Sequence, residues 1–261
     1  MFEPRVALAS LSGEADADWA RAGADYAGLA VLGGIALDES TRQAAREMVS
    51  DRDRTEFLPA DPIAFIDSQL SALADDPIQA GFNVRTTTLD PLVAAAEVCR
   101  DHGALLELNA HCRQAEMCAT GAGQSLLANP ERLCEQVETA AATGATVGVK
   151  VRTEVPGVDL PAVAGAAADA GADVIHVDAM DSESVVSDVA ATDAFVIANN
   201  GVRGEESVRE YAAYGADAVS VGRPSDDPAV LSRVWEAAES HLGDGGPEAR
   251  SGSARRQEGD S

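Results

Sequence analysis

Five times in this chain a Gly-Ala pair closes an alanine-rich stretch and opens an apolar run: Gly23-Ala24, Gly103-Ala104, Gly144-Ala145, Gly171-Ala172 and Gly215-Ala216. Glycine suits the position just past a helix C-terminus, where the left-handed conformation costs a residue without Cβ little. The runs that follow, such as "TVGVKV" and "AFVIA", are nearly continuous in small and β-branched residues. Parallel strands covered on both faces require that composition. The pairs recur at uneven spacing, which fits βα units with variable loops better than a solenoid.

Read this way, the chain is predicted to form strands over 6–10, 26–32, 81–85, 104–109, 146–152, 173–177, 194–199 and 218–222. Helices are expected over 14–22, 39–49, 89–102, 130–143, 160–170, 183–190, 205–214 and 228–242, with an additional one near 62–74. "NPER" marks one start clearly, with Asn129 as N-cap and Pro130 in the first turn. Eight such units close most economically into a (β/α)₈ TIM barrel of the α/β class, here one domain over residues 1–242. A doubly wound open sheet is the alternative. Residues 243–261, "GDGGPEARSGSARRQEGDS", carry almost no apolar side chains and are expected to form a disordered tail.

Charge narrows the partners. The formal net charge is −25, so nucleic acid and anionic membrane are both repelled unless salt screens the field. So acidic a surface suggests a halophilic source with a salt-rich cytoplasm. No stretch reaches the roughly 18 uninterrupted apolar residues of a membrane span, and the N-terminus lacks the pattern of a signal peptide. A cytoplasmic protein is the expectation, with its four cysteines reduced. Cys99 and Cys134 fall in helix-like stretches and read as small core residues.

The chain holds eighteen arginines and a single lysine, Lys150, set between valines in a buried-strand pattern. An ammonium there is costly to desolvate unless an anion or electron-rich group meets it. An internal pair with Glu107 or Asp178 is one solution and a ligand is the other. The barrel frame brings further polar groups to the C-terminal strand ends: Asn83, Asn109 with Cys112, Arg152, His176, Asn200-Gly201 and Gly222-Arg223. Loops "NNGVRG" and "VGRPSDD" follow strands seven and eight, where many barrels cradle a phosphate on backbone N–H groups. Cys112 lies in a long glycine-containing loop among His, Arg and Gln. A zinc site from His111, Cys112 and Cys118 would need a C-x5-C spacing found in no common site, so no metal is expected.

The stretch "LELNAHCRQAEMCATGAGQSLLANPERL", with "GVKVRT", "IHVDAMD", "VIANNGVRGEESV" and "GADAVSVGR", resembles the flavin-dependent tRNA-dihydrouridine synthases. The likeness is to a short archaeal branch, related to dihydroorotate dehydrogenase-like flavoproteins, and covers roughly residues 78 to 225. Asn109, Cys112 and Gly121-Ala122-Gly123 match the family's Asn-x-Gly-Cys-Pro loop without a gap. The resemblance implies an FMN-binding barrel that moves a hydride between flavin and the C5–C6 bond of a uracil-like ring, with NADPH as reductant. It gives Cys112 the role of general acid toward C5, and places Asn109 and Arg152 at the substrate. Lys150 would meet the flavin near N1 and the C2 carbonyl. His176 and Asn83 would contact the ring or ribityl chain, and Asn200, Gly201, Gly222 and Arg223 the phosphate end.

The chain departs from the family in three places. Gly-Cys-Pro reads His111-Cys112-Arg113, "VDAMD" replaces a Gly-Arg after His176, and no helical RNA-binding domain is expected after the barrel. With the acidic charge, these features turn attention from a tRNA uridine to a small free pyrimidine, as in dihydroorotate or dihydropyrimidine dehydrogenases. A non-redox barrel binding a phosphorylated ligand is the remaining class.

Overall fold

Alternation of strand and helix closes on itself in the computed structural model, which describes residues 1–52 and 54–242. The strands are β1 (Val6–Leu8), β2 (Leu29–Ala36), β3 (Gln79–Arg85), β4 (Leu105–Asn109), β5 (Thr146–Arg152), β6 (Val174–Asp178), β7 (Phe195–Asn199) and β8 (Ala218–Val221). All pair in parallel in sequence order, and β8 returns to β1 to seal the barrel. The expected TIM barrel is the observed fold, and the open sheet is not. The disordered tail expected at 243–261 lies outside the described residues.

Ten helices surround the strands among the described residues: α1 (Ala17–Gly23), α2 (Glu39–Arg52), α3 (Pro62–Ala72), α4 (Asp90–Asp101), α5 (Ala115–Ala119), α6 (Pro130–Ala141), α7 (Leu160–Asp169), α8 (Val185–Val189), α9 (Glu205–Ala213) and α10 (Pro228–His241). Their starts are chemically marked. Asp16, Asp61, Asn129, Asp159 and Asp227 each accept a backbone N–H of the first turn, and proline stands in that turn after four of them. The main core lies between strands and helices, and a second cluster fills the barrel's lower interior with Phe2, Ala7, Leu29, Val31, Leu105, Val174, Ile197 and Ala218.

Two departures from the sequence expectation matter for the site. The second strand, expected over 26–32, starts later and runs on through Gly33-Gly34, and the register against β3 slips between Gly33 and Ile35. Gly34 is required there because a Cβ would collide with the Asn83 side-chain oxygen. The cysteine loop, expected to be irregular, carries α5 and a 3₁₀ segment at Gly123–Ala128. There α5 packs against α2, with Met48, Ala44, Met117 and Ala122 in one cluster and Cys112 half-buried against it. No helix among the described residues is long and apolar enough to cross a membrane.

Candidate functional site

Side chains alternate across a strand, so positions two apart share a face. On β4 the inward positions read Leu105, Glu107, Asn109; on β5, Gly148, Lys150, Arg152; on β6, Val174, His176, Asp178; on β8, Ala218, Ser220, Gly222. Register aligns Asn109 with Lys150 and Lys150 with His176. The lowest positions are apolar, the middle ones polar and buried, and the uppermost open into a cavity of ≈ 820 Å³ at the C-terminal mouth.

Lys150 is 2% exposed and borders this cavity. Among the described residues its ammonium makes no hydrogen bond and no ion pair. Burial pushes it below its ordinary value, with Glu107 and Asp178 opposing the shift from a distance. The internal lysine–carboxylate pair is thus not formed, because both oxygens of Glu107 are engaged elsewhere. Oε1 accepts from Asn83 Nδ2 at 2.7 Å, and Oε2 faces His176 Nδ1 at 2.7 Å.

Those two bonds belong to a longer buried chain. Asn109 Nδ2 donates to Asn83 Oδ1 at 2.8 Å, and His176 Nε2 lies 2.8 Å from Ser220 Oγ. Asn109 Oδ1 then accepts from the backbone N–H of Cys112 at 3.0 Å and of His111 at 3.3 Å, which anchors the cysteine loop. From the other side Gly123, at φ +64, lies so close to the Cys112 carbonyl that a Cβ would collide with it. Burial works against a charged Glu107, but His176, Lys150 and Asn83 outweigh it and hold the carboxyl below its ordinary value. Burial, then Lys150, pushes His176 down against the pull of Glu107. Burial, then Lys150 and His176, pushes His111 further still below its ordinary value.

Of the residues singled out in the sequence, Asn109, Cys112, Lys150, Arg152, Asn200, Gly201, Gly222 and Arg223 all border the one cavity. Asn83 and His176 do not; both are fully buried in the chain beneath it. Asn200, at φ 94, and Gly201, at φ 65, turn the backbone after β7, and the Tyr211 hydroxyl holds the Asn200 carbonyl at 2.9 Å. Nothing stands within 4 Å of where a Cβ would be on Gly201 or Gly222. No group of three or more His, Cys, Asp or Glu among the described residues is placed to hold a metal.

Sequence reasoning missed part of the site. Among the described residues six cations border the cavity, Lys150, Arg152, Arg223, Arg54, Arg113 and Arg203, against two acids, Glu14 and Asp178. This inverts the chain's overall balance of 19 cations to 44 acids and favours an anionic ligand. Arg54 comes from the segment after α2, folded back over the mouth: Phe57 bridges to Ile35, and Thr55 Oγ1 donates to the Ser12 carbonyl at 3.1 Å. Glu56 of that segment pairs with Arg85 at the end of β3, both side chains 1% exposed. Burial opposes the Arg85 charge, but Glu56 and then the nearby Cys112 thiol favour it, and Arg85 Nε is a buried donor without a partner. An arginine and a glutamate at strand-end and loop positions gave no signal of this pairing. Glu107 and Ser220 did leave one: each stands two residues below a mouth residue on its own strand.

No family model matches the chain. An uncharacterized protein of Methanocaldococcus jannaschii is 28% identical over 234 residues, covering 85% of this chain and 89% of that protein. Among solved structures, DHODH from Eimeria tenella in complex with ferulenol is similar with a TM-score of 0.68 at 15% identity, over 90% of this chain and 80% of that one. FabK from Thermotoga maritima is similar with a TM-score of 0.55 at 15% identity, over 85% of this chain and 58% of the other, so this chain spans less than two thirds of FabK. At such identities the two structures share with this chain its fold, an eight-stranded parallel α/β barrel.

Proposed function

We propose that the barrel is an FMN-dependent oxidoreductase of the tRNA-dihydrouridine synthase type, transferring hydride between flavin and the C5–C6 bond of a uracil-like ring, with NADPH as reductant. Lys150 carries the reading: a buried cation that no protein carboxylate among the described residues meets in an ion pair, bordering a cavity, is destabilising unless a ligand brings electron density to it. The residues present fit FMN on two counts. The cavity's ≈ 820 Å³ falls within the range of about 300–1,000 Å³ usual for cofactor sites. Gly201 and Gly222 leave space where side chains would stand, beside Arg223, as a phosphate cradle needs.

When bound, FMN would supply the hydride chemistry, with negative charge on its reduced form. Lys150 would offset that charge in a site whose low dielectric strengthens the interaction. Asn200, Gly201, Gly222 and Arg223 hold the phosphate end. Cys112 donates the proton to C5 from its thiol, and Asn109 and Arg152 hold the pyrimidine. Asn83 and His176 lie beneath the cavity, so in this scheme Asn83 holds Asn109, and His176 holds Glu107 and Ser220, in place of the direct cofactor contact expected from sequence.

A free pyrimidine in place of a tRNA uridine is favoured by the net charge of −25, which repels a polyanion while the arginine-lined mouth still attracts a small one. The first test is optical. Purified protein, or protein titrated with FMN, should show the absorbance bands of bound flavin; a colourless protein that leaves added FMN unchanged would point to a non-redox barrel for another phosphorylated ligand. Mass spectrometry of tRNA from a deletion strain then separates the substrates, since an unchanged dihydrouridine content removes tRNA.

A further inference from the structure

Among the buried polar groups of the barrel, Glu107 is the one whose partners leave no freedom of direction. A carboxylate only accepts, so Asn83 must turn its Nδ2 toward Oε1, leaving its Oδ1 to face Asn109. Asn109 must in turn direct Nδ2 inward, and its Oδ1 is left facing the N–H groups of His111 and Cys112. On the other side Oε2 requires a proton on His176 Nδ1, and a neutral ring then holds a lone pair at Nε2 that the Ser220 hydroxyl must fill. Ser220, which borders the cavity, is left with lone pairs alone, so the β8 end of the chain offers an acceptor and no donor.

We infer that Glu107 is a positioning residue: its charge directs the chain Asn109–Asn83–Glu107–His176–Ser220 outward in both senses, and so fixes the cysteine loop at one end and the hydrogen-bonding character of the cavity floor at the other. The inference deepens the flavoenzyme reading by naming what aligns its proton donor, yet the direction of the chain is a property of the protein without ligand.

Glu107→Gln breaks the symmetry of acceptance, because one terminal atom becomes an NH₂ donor. If that donor faces His176, the ring must move its proton to Nε2 and donate to Ser220. If it faces Asn83, both asparagines must flip and Asn109 Nδ2 would oppose two backbone N–H groups, releasing the loop. The first is the smaller disturbance and is the expected result.

The experiment is ¹⁵N NMR of the four histidines in flavin-free protein near pH 7, with His176 assigned by replacing the other three. The wild type should show His176 protonated on Nδ1 only, and Ser220→Ala should keep that tautomer. Glu107→Gln should shift it to Nε2, or else raise amide hydrogen exchange at His111 and Cys112. A wild-type His176 protonated on Nε2, alone or together with Nδ1, would overturn the inference, and so would a folded Glu107→Gln protein with unchanged tautomer and exchange. The wild-type measurement decides the matter even if the variant does not fold. FMN titration of the same sample is scored separately, so a colourless protein with the expected tautomer would sink only the flavin reading.

Discussion

Two residues of strand separate the lower layer of this barrel from the upper, and both layers are buried. Leu105 is 2% exposed and Glu107, one inward position above it, 0%. The lower layer joins Leu105, Val174 and Ala218 to Phe2 and Ile197 in a dry cluster that stabilises the fold by removing apolar surface from water. In the upper layer Glu107, Lys150, His176 and Ser220 must be desolvated, and hydrogen bonds return much of that cost for all but Lys150. Burial by itself therefore does not reveal a residue's task. The lower layer stabilises the fold without help, whereas the upper one holds an ammonium that no carboxylate among the described residues meets in an ion pair.

The comparison breaks most visibly at the mouth. Cys112→Ala should leave FMN binding intact and slow pyrimidine turnover by about 10²–10⁴-fold, the usual worth of a general acid. Undiminished single-turnover rates would show that another group supplies the proton. In the lower layer the effect should fall on stability instead. Leu105→Ala should cost about 2–5 kcal/mol in urea unfolding, with FMN affinity unchanged in the folded fraction. A loss of affinity without a loss of stability would dissolve the distinction between the layers.

Lys150→Met sharpens the contrast with a smaller effect. It should weaken FMN binding at least about tenfold, roughly 1.4 kcal/mol, while the ligand-free protein unfolds at no lower urea concentration. The folded lysine binds its proton more weakly than the unfolded one, so its burial opposes folding at neutral pH, and the opposition fades as pH rises toward the ordinary 10.5. The stability difference between Lys150→Met and wild type should narrow over that rise; a constant difference would mean the ammonium is solvated. The smallest effect concerns the acidic exterior against the cationic mouth. Raising salt to molar levels should stabilise the fold by screening surface repulsion while weakening anion binding in the cavity, and full stability without salt would remove the halophilic expectation.

Much of the barrel was legible because its signals are local. The strand expected at 146–152 is the strand observed, and Asn129-Pro130 starts its helix where the cap chemistry placed it. The second strand, expected to end at residue 32, continues to Ala36, because Gly34 makes room for Asn83 from the neighbouring strand, a contact that no local signal carries. Lys150 was visible as an oddity of composition. Its lack of a partner was not, because Glu107 was equally eligible by strand position. The Arg54 contribution and the Glu56–Arg85 pair were hidden by distance along the chain, the paired groups standing 29 positions apart.

By itself the sequence determined the repeating strand–helix unit, the residues that end each strand, and the presence of one ammonium where a hydrophobe would serve the fold better. Local chemistry suffices for these, because period, capping and turn preferences act over a few residues. Only the tertiary structure decided which inward side chains share a level. Barrel closure brings together Glu107 and His176, 69 residues apart, and His176 and Ser220, 44 apart. Hydrogen bonds reach about 3 Å, so that staggered closure assigned Glu107 to histidine and asparagine and left the ammonium facing open space.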